Sequence, residues 1–300
     1  MILAVTGGTG FVGGHLLTLA AARGHTIRAL TRRPQSPHPN LEWITGDLAT
    51  PGSLCEGADA VIHVAGTINA PSRAAFDVGN VAVTASIIAA ARAAGVRRFI
   101  HVSSLAAREP GLSDYGASKA AAETLVDASS LNAVIIRPPG VYGPGDRETL
   151  PVFQLAARGF AILPGDGRFS LIEVGDLTAA LLALAASDSS GLAEVDDGHG
   201  GYSHADLARA IGRAVGRAPR LLRLPLGVLH AGATIATALA RLQRRASPML
   251  SHDRARYLAH PDWTTDPRRA LPSDVWRPET DIDTGLARAV AWYRANGLLA

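Results

Sequence analysis

Apolar and polar positions alternate along the first half of the chain in the order of strands followed by helices. Short apolar runs bounded by glycine, proline or polar turns predict strands. These runs lie at residues 2–6, 26–31, 41–44, 58–64, 98–103 and 133–137. Between them, helical spacing of apolar residues predicts helices at about 12–23, 81–94 and 115–128. This alternation predicts an α/β fold, a doubly wound parallel sheet with helices on both faces.

Beyond residue 137 the alternation loosens, because proline and glycine interrupt the apolar runs. The pattern predicts helices at 150–157, 177–186, 203–215, 226–245, 251–258 and 284–296. It predicts only short strands, at 169–174, 193–195 and 220–224. We therefore expect a nucleotide-binding domain over residues 1–165. Residues 166–300 are expected to form mainly a smaller, mostly helical substrate-binding lobe, with some segments returning to the first domain.

The composition is that of a globular protein, with 47% hydrophobic and 18% charged residues. The single cysteine, Cys55, excludes an internal disulfide and suits a reducing compartment. No signal or transit pattern precedes the first strand, so we expect a cytoplasmic protein. Basic residues occur singly or in pairs, so no nucleic-acid surface is expected. No histidine or cysteine cluster has the spacing of metal ligands, so no metal is expected.

The segment 225–240 is almost uncharged, and Arg241, Arg244 and Arg245 follow it. It is shorter than the roughly 20 apolar residues that a membrane-spanning helix needs. Integral membrane insertion is therefore not expected. A helix packed within the second lobe is the favoured interpretation, and a helix facing the substrate or the membrane surface is the alternative.

A glycine-rich turn joins the first strand to the first helix. Gly7, Gly10 and Gly13 have the spacing in which the first glycine permits a tight turn, the second admits a pyrophosphate and the third lets the helix pack closely. The amino end of that helix then offers its backbone N–H groups to the phosphates. The turn is therefore typical of a Rossmann domain that binds a dinucleotide, with Thr9, Phe11 and Val12 as further contacts.

The end of the second strand indicates which dinucleotide is bound. Thr31 stands where an NAD-binding domain would carry an acidic residue, and Arg32 and Arg33 follow it. Arginine can pair with the 2′-phosphate of NADP. The sequence therefore favours NADP, with NAD still open; the other interpretation is two solvated arginines. Asp47 is expected either to meet the adenine edge or to serve its own turn.

Lysine occurs once in the chain, at position 119, against 28 arginines. Arginine and lysine are not equivalent where a compact ammonium must lie beside a hydroxyl. Tyr115 precedes Lys119 by four residues, so the two side chains share one face of the predicted helix. A positive charge there would lower the pKa of the phenol. This pair is the candidate centre of chemistry.

Several motifs together resemble the extended short-chain dehydrogenase/reductase superfamily, which holds NAD-dependent epimerases and dehydratases, 3β-hydroxysteroid dehydrogenases and dihydroflavonol reductases. The motifs lie at residues 6–13, 46–47, 63–66, 103–104, 115–119 and 137–138. The resemblance is specific from residue 2 to about 180 and weaker beyond. It implies a homodimer.

The resemblance also implies roles for individual residues. Tyr115 would be the general acid/base, Lys119 would hold the nicotinamide ribose, and Ser104 would hold the substrate oxygen. Asn80 would support Lys119 through a bound water or cap a helix. His63 is given no catalytic role. Further cofactor contacts are implied at Leu48, Val64, Ala65, Gly66 and Pro138.

The substrate class is less specified. Sugar-nucleotide epimerases of the superfamily usually carry an asparagine shortly after the arginine at 137, where this chain has Pro138-Pro139-Gly140. The leading prediction is an NAD(P)-dependent oxidoreductase that transfers a hydride between its cofactor and a carbonyl or secondary alcohol of a fairly apolar small molecule. The alternatives are a nucleotide-sugar epimerase or dehydratase, and a non-catalytic dinucleotide-sensing or assembly protein.

Overall fold

The computed structural model describes residues 1–163, 165–223, 256–257 and 260–300. The chain divides into two compact units. The first unit consists of residues 1–138, 177–195 and 267–277, and the second contains the described residues of 139–176, 196–266 and 278–300. The first division thus falls after Pro138 rather than near residue 165, and two later segments return to the first unit. The apolar segment 225–240 and the helices expected at 226–245 and 251–258 lie outside the described residues, except for residues 256–257.

The strands are named in chain order. They are β1 (Ile2–Thr6), β2 (Thr26–Thr31), β3 (Leu41–Thr45), β4 (Ala60–His63), β5 (Arg98–Val102), β6 (Asn132–Arg137), β7 (Gly140–Tyr142), β8 (Phe160–Leu163), β9 (Arg168–Phe169), β10 (Leu171–Glu173), β11 (Gly191–Glu194), β12 (Tyr202–Ser203), β13 (Arg220–Arg223) and β14 (Asp262–Trp263). The expected strands of the first half are all present, within three residues at either end.

The helices are named in the same way. They are α1 (Phe11–Ala22), α2 (Arg73–Phe76), α3 (Val83–Ala93), α4 (Asp114–Asp127), α5 (Leu150–Ala157), α6 (Val174–Ala185), α7 (His204–Val215) and α8 (Ile282–Ala295). A π-helix at Asp77–Ala82 joins α2 to α3, and 3₁₀ turns lie at Leu105–Arg108 and Pro267–Arg269. No pattern along the chain predicted the π-helix.

The first unit is built on a parallel sheet with the strand order β11-β6-β5-β4-β1-β2-β3. The order reverses beside β1, because β2 and β3 lie on one side of it and β4, β5 and β6 on the other. In sheets of this kind, ligands bind in the crevice outside the carboxyl ends of the strands at such a reversal. The predicted doubly wound sheet is confirmed.

The centre of this sheet is buried on both faces, which explains why β4 and β5 read as nearly continuous apolar runs. Ile87 and Ile88 of α3 and Val126 of α4 pack with Val61 and Phe99 of the sheet in one apolar cluster. These contacts fix the two helices against the strands whose carboxyl ends carry the candidate chemistry.

One continuous helical stretch, residues 73–93, is long and apolar enough to cross a membrane by composition, with a mean hydropathy of 1.6. Its inner positions include Phe76, Asn80 and Thr84, which are buried, and Ile87 joins the apolar cluster of the sheet. A core helix of a globular domain meets the same composition criterion. A third of its most apolar window is buried, so one face of this stretch packs into the first unit.

The second unit combines helices with very short strands, namely the pair β7-β10, the trio β12-β9-β14 and the pair β8-β13. Its main apolar cluster joins Phe153 of α5, Ile211 of α7 and Tyr293 of α8. The Tyr293 hydroxyl donates to the Asp146 carbonyl at 2.6 Å, which satisfies a buried polar group. Strands of two or three residues leave too little periodicity to be recognised in the sequence.

The packing of α1 on the glycine turn gives the first testable prediction. A Cβ atom at Gly13 would lie 2.0 Å from the Gly7 carbonyl oxygen, whereas one at Gly14 would lie 3.8 Å from the Gly8 oxygen. We expect Gly13→Ala to lower the free energy of unfolding by about 1–3 kcal/mol or more through overpacking. Gly14→Ala, the matched control, should be neutral or stabilise by up to about 1 kcal/mol through helix propensity. Urea unfolding measures both, and equal effects would contradict the close contact.

Candidate active site

The glycine turn lies at the carboxyl ends of β1 and β4. Gly7 has a φ of 76°, and a Cβ atom there would lie 2.8 Å from the Ala65 backbone nitrogen. Gly10 precedes α1, and no side chain of the described residues caps this end or places an acidic group in its first turn. The first N–H groups of α1 therefore face an open glycine cradle, which fits the pyrophosphate of a dinucleotide.

The other expected cofactor residues fall along the same edge of the sheet. Val64, Ala65 and Gly66 directly follow β4, and Pro138 directly follows β6. Phe11 and Val12 form the first turn of α1, next to the exposed Thr9. Leu48 instead packs against the apolar cluster of the sheet. Their contacts with a cofactor stay a prediction.

Arg32 and Arg33 follow β2 directly and are exposed. The buried Thr31 hydroxyl donates to the Arg33 carbonyl at 2.7 Å and accepts from the Arg33 N–H at 3.2 Å. Thr31, which stands where an acidic residue would bind a ribose, therefore holds the backbone that presents both arginines. The two guanidinium groups are accessible to a phosphate.

Asp47 serves its own turn. Its Oδ1 accepts hydrogen bonds from the Ala49 N–H at 2.8 Å, the Thr50 N–H at 2.8 Å and the Thr50 hydroxyl at 3.1 Å. These bonds, above all those from Thr50, lower the pKa of the carboxyl, and the charge of Arg32 acts in the same direction. The structure thus shows the turn role of Asp47, and a contact with adenine stays a prediction.

Tyr115 lies in the first turn of α4, and the Ser104 side chain lies near enough to its phenol to act on its pKa. The Ser113 side chain caps this helix by accepting from the Gly116 N–H at 3.0 Å. A Cβ atom at Gly116 would lie 2.5 Å from the Ala106 carbonyl oxygen. This close approach brings α4 against the 3₁₀ turn that follows Ser104, and so brings the two hydroxyl groups together.

Burial raises the pKa of Tyr115, while the hydrogen bond with Ser104 lowers it by a smaller amount. The expectation from sequence was a lowered pKa. The direction is reversed because removal from water penalises the phenolate more than its neighbours stabilise it. At neutral pH Tyr115 is therefore protonated, which suits a group that donates a proton to a substrate oxygen.

Lys119 follows Tyr115 by four residues on α4, and it is buried. Its ammonium donates to the Val102 carbonyl at 2.7 Å, at the end of β5. Burial lowers the pKa of Lys119 to about 8, although the negative charge of Glu123 opposes this shift. The side chain thus keeps its positive charge near neutrality and loses it as the pH rises through about 8.

The structure distinguishes the two adjacent serines. The buried Ser103 donates to Oε1 of Glu123 at 2.5 Å, and Glu123 accepts from Nε of Arg137 at 2.8 Å. Ser103 is therefore committed to an ion-paired network. Ser104 is the serine that lies beside Tyr115, and its role at the substrate oxygen stays a prediction.

A chain of hydrogen bonds crosses the centre of the first unit through His63. The Ala65 N–H donates to the Thr6 hydroxyl at 3.2 Å, and this hydroxyl lies 2.7 Å from Nδ1 of His63. On the other side, Nε2 of His63 lies 3.0 Å from the Thr84 hydroxyl, which donates to the Asn80 carbonyl at 2.6 Å. Since Thr84 gives its proton to Asn80, it must accept from Nε2–H, and Thr6 must donate to Nδ1.

The side chain of Asn80 extends this chain to α4. Its Oδ1 accepts from the Thr67 N–H at 2.7 Å, and its Nδ2 donates to the Ser118 hydroxyl at 2.8 Å. Ser118 in turn donates to the Tyr115 carbonyl at 2.8 Å. Asn80 lies inside the π-helix, so the capping interpretation is wrong. Thr84 and Ser118 gave no signal in the sequence, because both act only through contacts distant along the chain.

Fold and site together define an NAD(P)-dependent oxidoreductase of the extended short-chain dehydrogenase/reductase type. The chain belongs to the NAD dependent epimerase/dehydratase family, whose model matches residues 3–195. The matched region contains the glycine turn and the Ser104, Tyr115 and Lys119 set.

Two curated relatives align with nearly the whole chain. The ceramide reductase of Caulobacter vibrioides is 42% identical over 310 residues, covering 99% of this chain and 96% of that protein. A putative dihydroflavonol 4-reductase of Synechocystis is 28% identical and covers 98% of this chain and 94% of its own. The likeness thus includes both units.

Solved structures share the fold. MoeE5 in complex with UDP-glucose and NAD matches with a TM-score of 0.75 at 24% identity, covering 98% of this chain and 99% of that one. The Bordetella bronchiseptica enzyme WbmH in complex with NAD+ matches with a TM-score of 0.75 at 21% identity, covering 99% of each chain. At these identities the likeness shows the architecture alone.

The His63 chain gives a prediction about stability. Thr84→Val removes the hydroxyl that both accepts from His63 and donates to Asn80, so two buried polar groups lose their partner. We expect a loss of about 1–3 kcal/mol in the free energy of unfolding. Thr84→Ser keeps the hydroxyl and should retain most of the free energy of unfolding. Urea unfolding of the pair measures the difference, and equal stability of the two variants would contradict the bonding scheme.

Proposed function

We propose that this protein is an NADPH-preferring reductase of a ketone on an apolar, lipid-like substrate. The observation that carries the proposal is the placement of Tyr115 and the buried Lys119 on one face of α4, with the Ser104 side chain near enough to the phenol to lower its pKa. A proton donor and a second hydroxyl beside it suit the reduction of a carbonyl. The relative from Caulobacter vibrioides, a ceramide reductase 42% identical over 99% of this chain, supports a lipid-like substrate.

The cofactor and three side chains have separate roles in the reduction. The cofactor, when bound, supplies the hydride for the carbonyl carbon. Ser104 donates a hydrogen bond to the carbonyl oxygen and so holds it beside the Tyr115 hydroxyl. Tyr115 gives its proton to that oxygen, and the Lys119 ammonium, which binds the ribose, favours the phenolate that remains. The buried position of Lys119 strengthens this electrostatic effect.

The cofactor-binding part of the proposal rests on the turn and on β2. The glycine cradle and the amino end of α1 bind the pyrophosphate, which needs backbone N–H donors. Arg32 and Arg33 bind the 2′-phosphate, for which the exposed guanidinium groups are suited. NADP is therefore preferred to NAD. Asp47 and the residues after β4 line the remainder of the cofactor.

The sugar-nucleotide alternative is less well supported. Epimerases of the superfamily tend to carry an arginine seven residues before the aspartate at 176, and this chain has Phe169 there, with Arg168 one place before it. The Arg168 guanidinium donates to the carbonyls of Gly200 at 3.3 Å and Gly201 at 3.2 Å. This arginine is thus engaged with the backbone. A non-catalytic role does not explain the assembled Ser104, Tyr115 and Lys119 set.

Two further features belong to the proposal. We place the protein in the cytoplasm, in keeping with its free, buried Cys55. We also propose a homodimer, as the superfamily resemblance implies. Neither proposal is needed for the proton transfer, because every residue assigned to that step lies in the first unit.

Tyr115→Phe tests the chemistry. We expect the rate of NADPH oxidation with a soluble short-chain 3-oxo lipid analogue to fall by about 10²–10⁴-fold, because the proton donor is lost. The Kd of NADPH, measured by calorimetry, should change by less than about twofold, since the phenol is assigned to the substrate oxygen. UDP-sugars should cause no net NADPH oxidation. Retained turnover in the variant would remove Tyr115 from its role.

Arg32→Ala tests the cofactor preference. We expect NADPH binding to weaken by about tenfold or more, as for loss of a hydrogen bond to a charged group, and NADH binding to stay unchanged. Arg97→Ala is the matched control, because Arg97 is also exposed but precedes β5 at the amino edge of the sheet. Calorimetry with each cofactor measures the effect. An equal loss of both cofactors would sink the assignment to the 2′-phosphate.

A further inference from the structure

The strands β8 and β13 form a two-stranded parallel ribbon in the second unit. Its register pairs Phe160 with Arg220 and Ile162 with Leu222. Because side chains alternate along a strand and paired residues share a face, these four side chains lie on one face of the ribbon. We call this the outer face.

The opposite face is buried. Ala161 and Leu163 of β8 pack in an apolar cluster with Ala208 of α7, and Leu221 of β13 joins them. A strand with one packed face normally carries polar residues on the other. The apolar side chains of the outer face therefore need an explanation.

The outer face exposes large apolar side chains at adjacent positions. Phe160 is 41% exposed, Ile162 is 47% exposed and Leu222 is 44% exposed. Isolated exposed apolar residues are common, but a group of them on one sheet face is typical of an interaction surface. The face is thus suited to an apolar partner.

The surroundings of this face are basic. The segments 150–165 and 216–223, which contain both strands, carry four arginines and no acidic residue. Arg158, Arg217, Arg220 and Arg223 are all exposed. A Cβ atom at Gly159 would lie 2.9 Å from Nε of Arg217, and the Arg220 N–H donates to the Gly159 carbonyl at 2.8 Å. The arginines therefore cluster where the two strands begin, while Arg223 pairs with Asp166 at 3.6 Å.

We propose that the outer face of the β8–β13 ribbon docks on the surface of an anionic lipid bilayer. Phe160, Ile162 and Leu222 enter the boundary between headgroups and acyl chains, and the arginines bind the lipid phosphates. This inference rests on the proposed function, because a reductase of a lipid-like ketone must reach a substrate that resides in a bilayer. Because only three apolar side chains enter the bilayer, and only in part, the contact is weak and reversible.

The charge pattern favours a bilayer over a second copy of the chain. A symmetric pairing of two outer faces would place arginines against arginines, and Asp166, the carboxylate next to the first segment, is already paired with Arg223. Like charges opposed in this way are unfavourable. An anionic membrane instead offers phosphates to Arg158, Arg217 and Arg220.

The test is flotation of the full-length protein with vesicles. Vesicles of phosphatidylglycerol and phosphatidylcholine in equal parts should carry the protein, and vesicles of phosphatidylcholine alone should carry far less. The triple variant Phe160→Ser, Ile162→Ser, Leu222→Ser should bind about tenfold more weakly or not at all. Its mutated side chains are exposed, so folding should persist, which circular dichroism checks.

Two further variants make the test specific. Val78→Ser removes an apolar side chain that is 66% exposed on the helical stretch 73–93, and it should leave vesicle binding unchanged. Arg217→Gln combined with Arg220→Gln should weaken binding to the anionic vesicles about tenfold and reduce its dependence on salt. Failure of the wild type to float, equal flotation of the triple variant, or loss of binding in Val78→Ser would each overturn the proposal.

Activity separates this inference from the proposed function. With a soluble short-chain ketone and no vesicles, the triple variant should turn over NADPH like the wild type. With a long-chain ketone embedded in anionic vesicles, its rate should fall about tenfold. Vesicle binding without reduction of any ketone would refute the proposed function and keep the docking surface. If the soluble ketone is reduced, and the wild type and the triple variant reduce the embedded ketone at equal rates, the docking surface is refuted and the proposed function is kept.

Discussion

The candidate site depends on the hydrogen bonds of one buried side chain, the imidazole of His63. It bonds to Thr6 at the end of β1 and to Thr84 on α3, so it links the two central strands to the helical stretch that contains Asn80. Burial and the positive charge of Lys119 lower its pKa to about 3. His63 is thus neutral over the physiological range, and the directions of its hydrogen bonds stay fixed as pH changes.

The electrostatics of the site follow from burial acting on two groups of opposite charge type. Removal from water raises the pKa of Tyr115 and lowers that of Lys119, because each charged form is disfavoured. Neutral phenol and charged ammonium still coexist near neutrality, since Glu123 opposes the shift at Lys119. Glu123 is itself held by Arg137 and Ser103. The ion pair between Glu123 of α4 and Arg137 at the end of β6 therefore helps to keep Lys119 charged near neutrality.

Local patterns predicted the first unit well, and long-range contacts explain what they missed. The strong apolar runs and the glycine turn are local signals, and they located the parallel sheet and the residues at its carboxyl edge. The π-helix could not be predicted, because it brings Asn80 to Ser118, 38 residues away. The boundary after Pro138 depends on how later segments return to the sheet. The raised pKa of Tyr115 depends on its burial in the folded protein, and burial cannot be inferred from the four-residue spacing of tyrosine and lysine.

The division of labour between the units bears on substrate choice. Every group assigned to proton transfer lies in the first unit, whereas the family model, over residues 3–195, also matches residues 139–176 of the second unit. Proteins that share this fold include one solved with UDP-glucose, so the fold alone does not select a substrate. In the second unit, Arg168 is bonded to backbone carbonyls. A guanidinium that already donates to backbone carbonyls contributes little to binding a diphosphate. An apolar ligand needs no positive charge there.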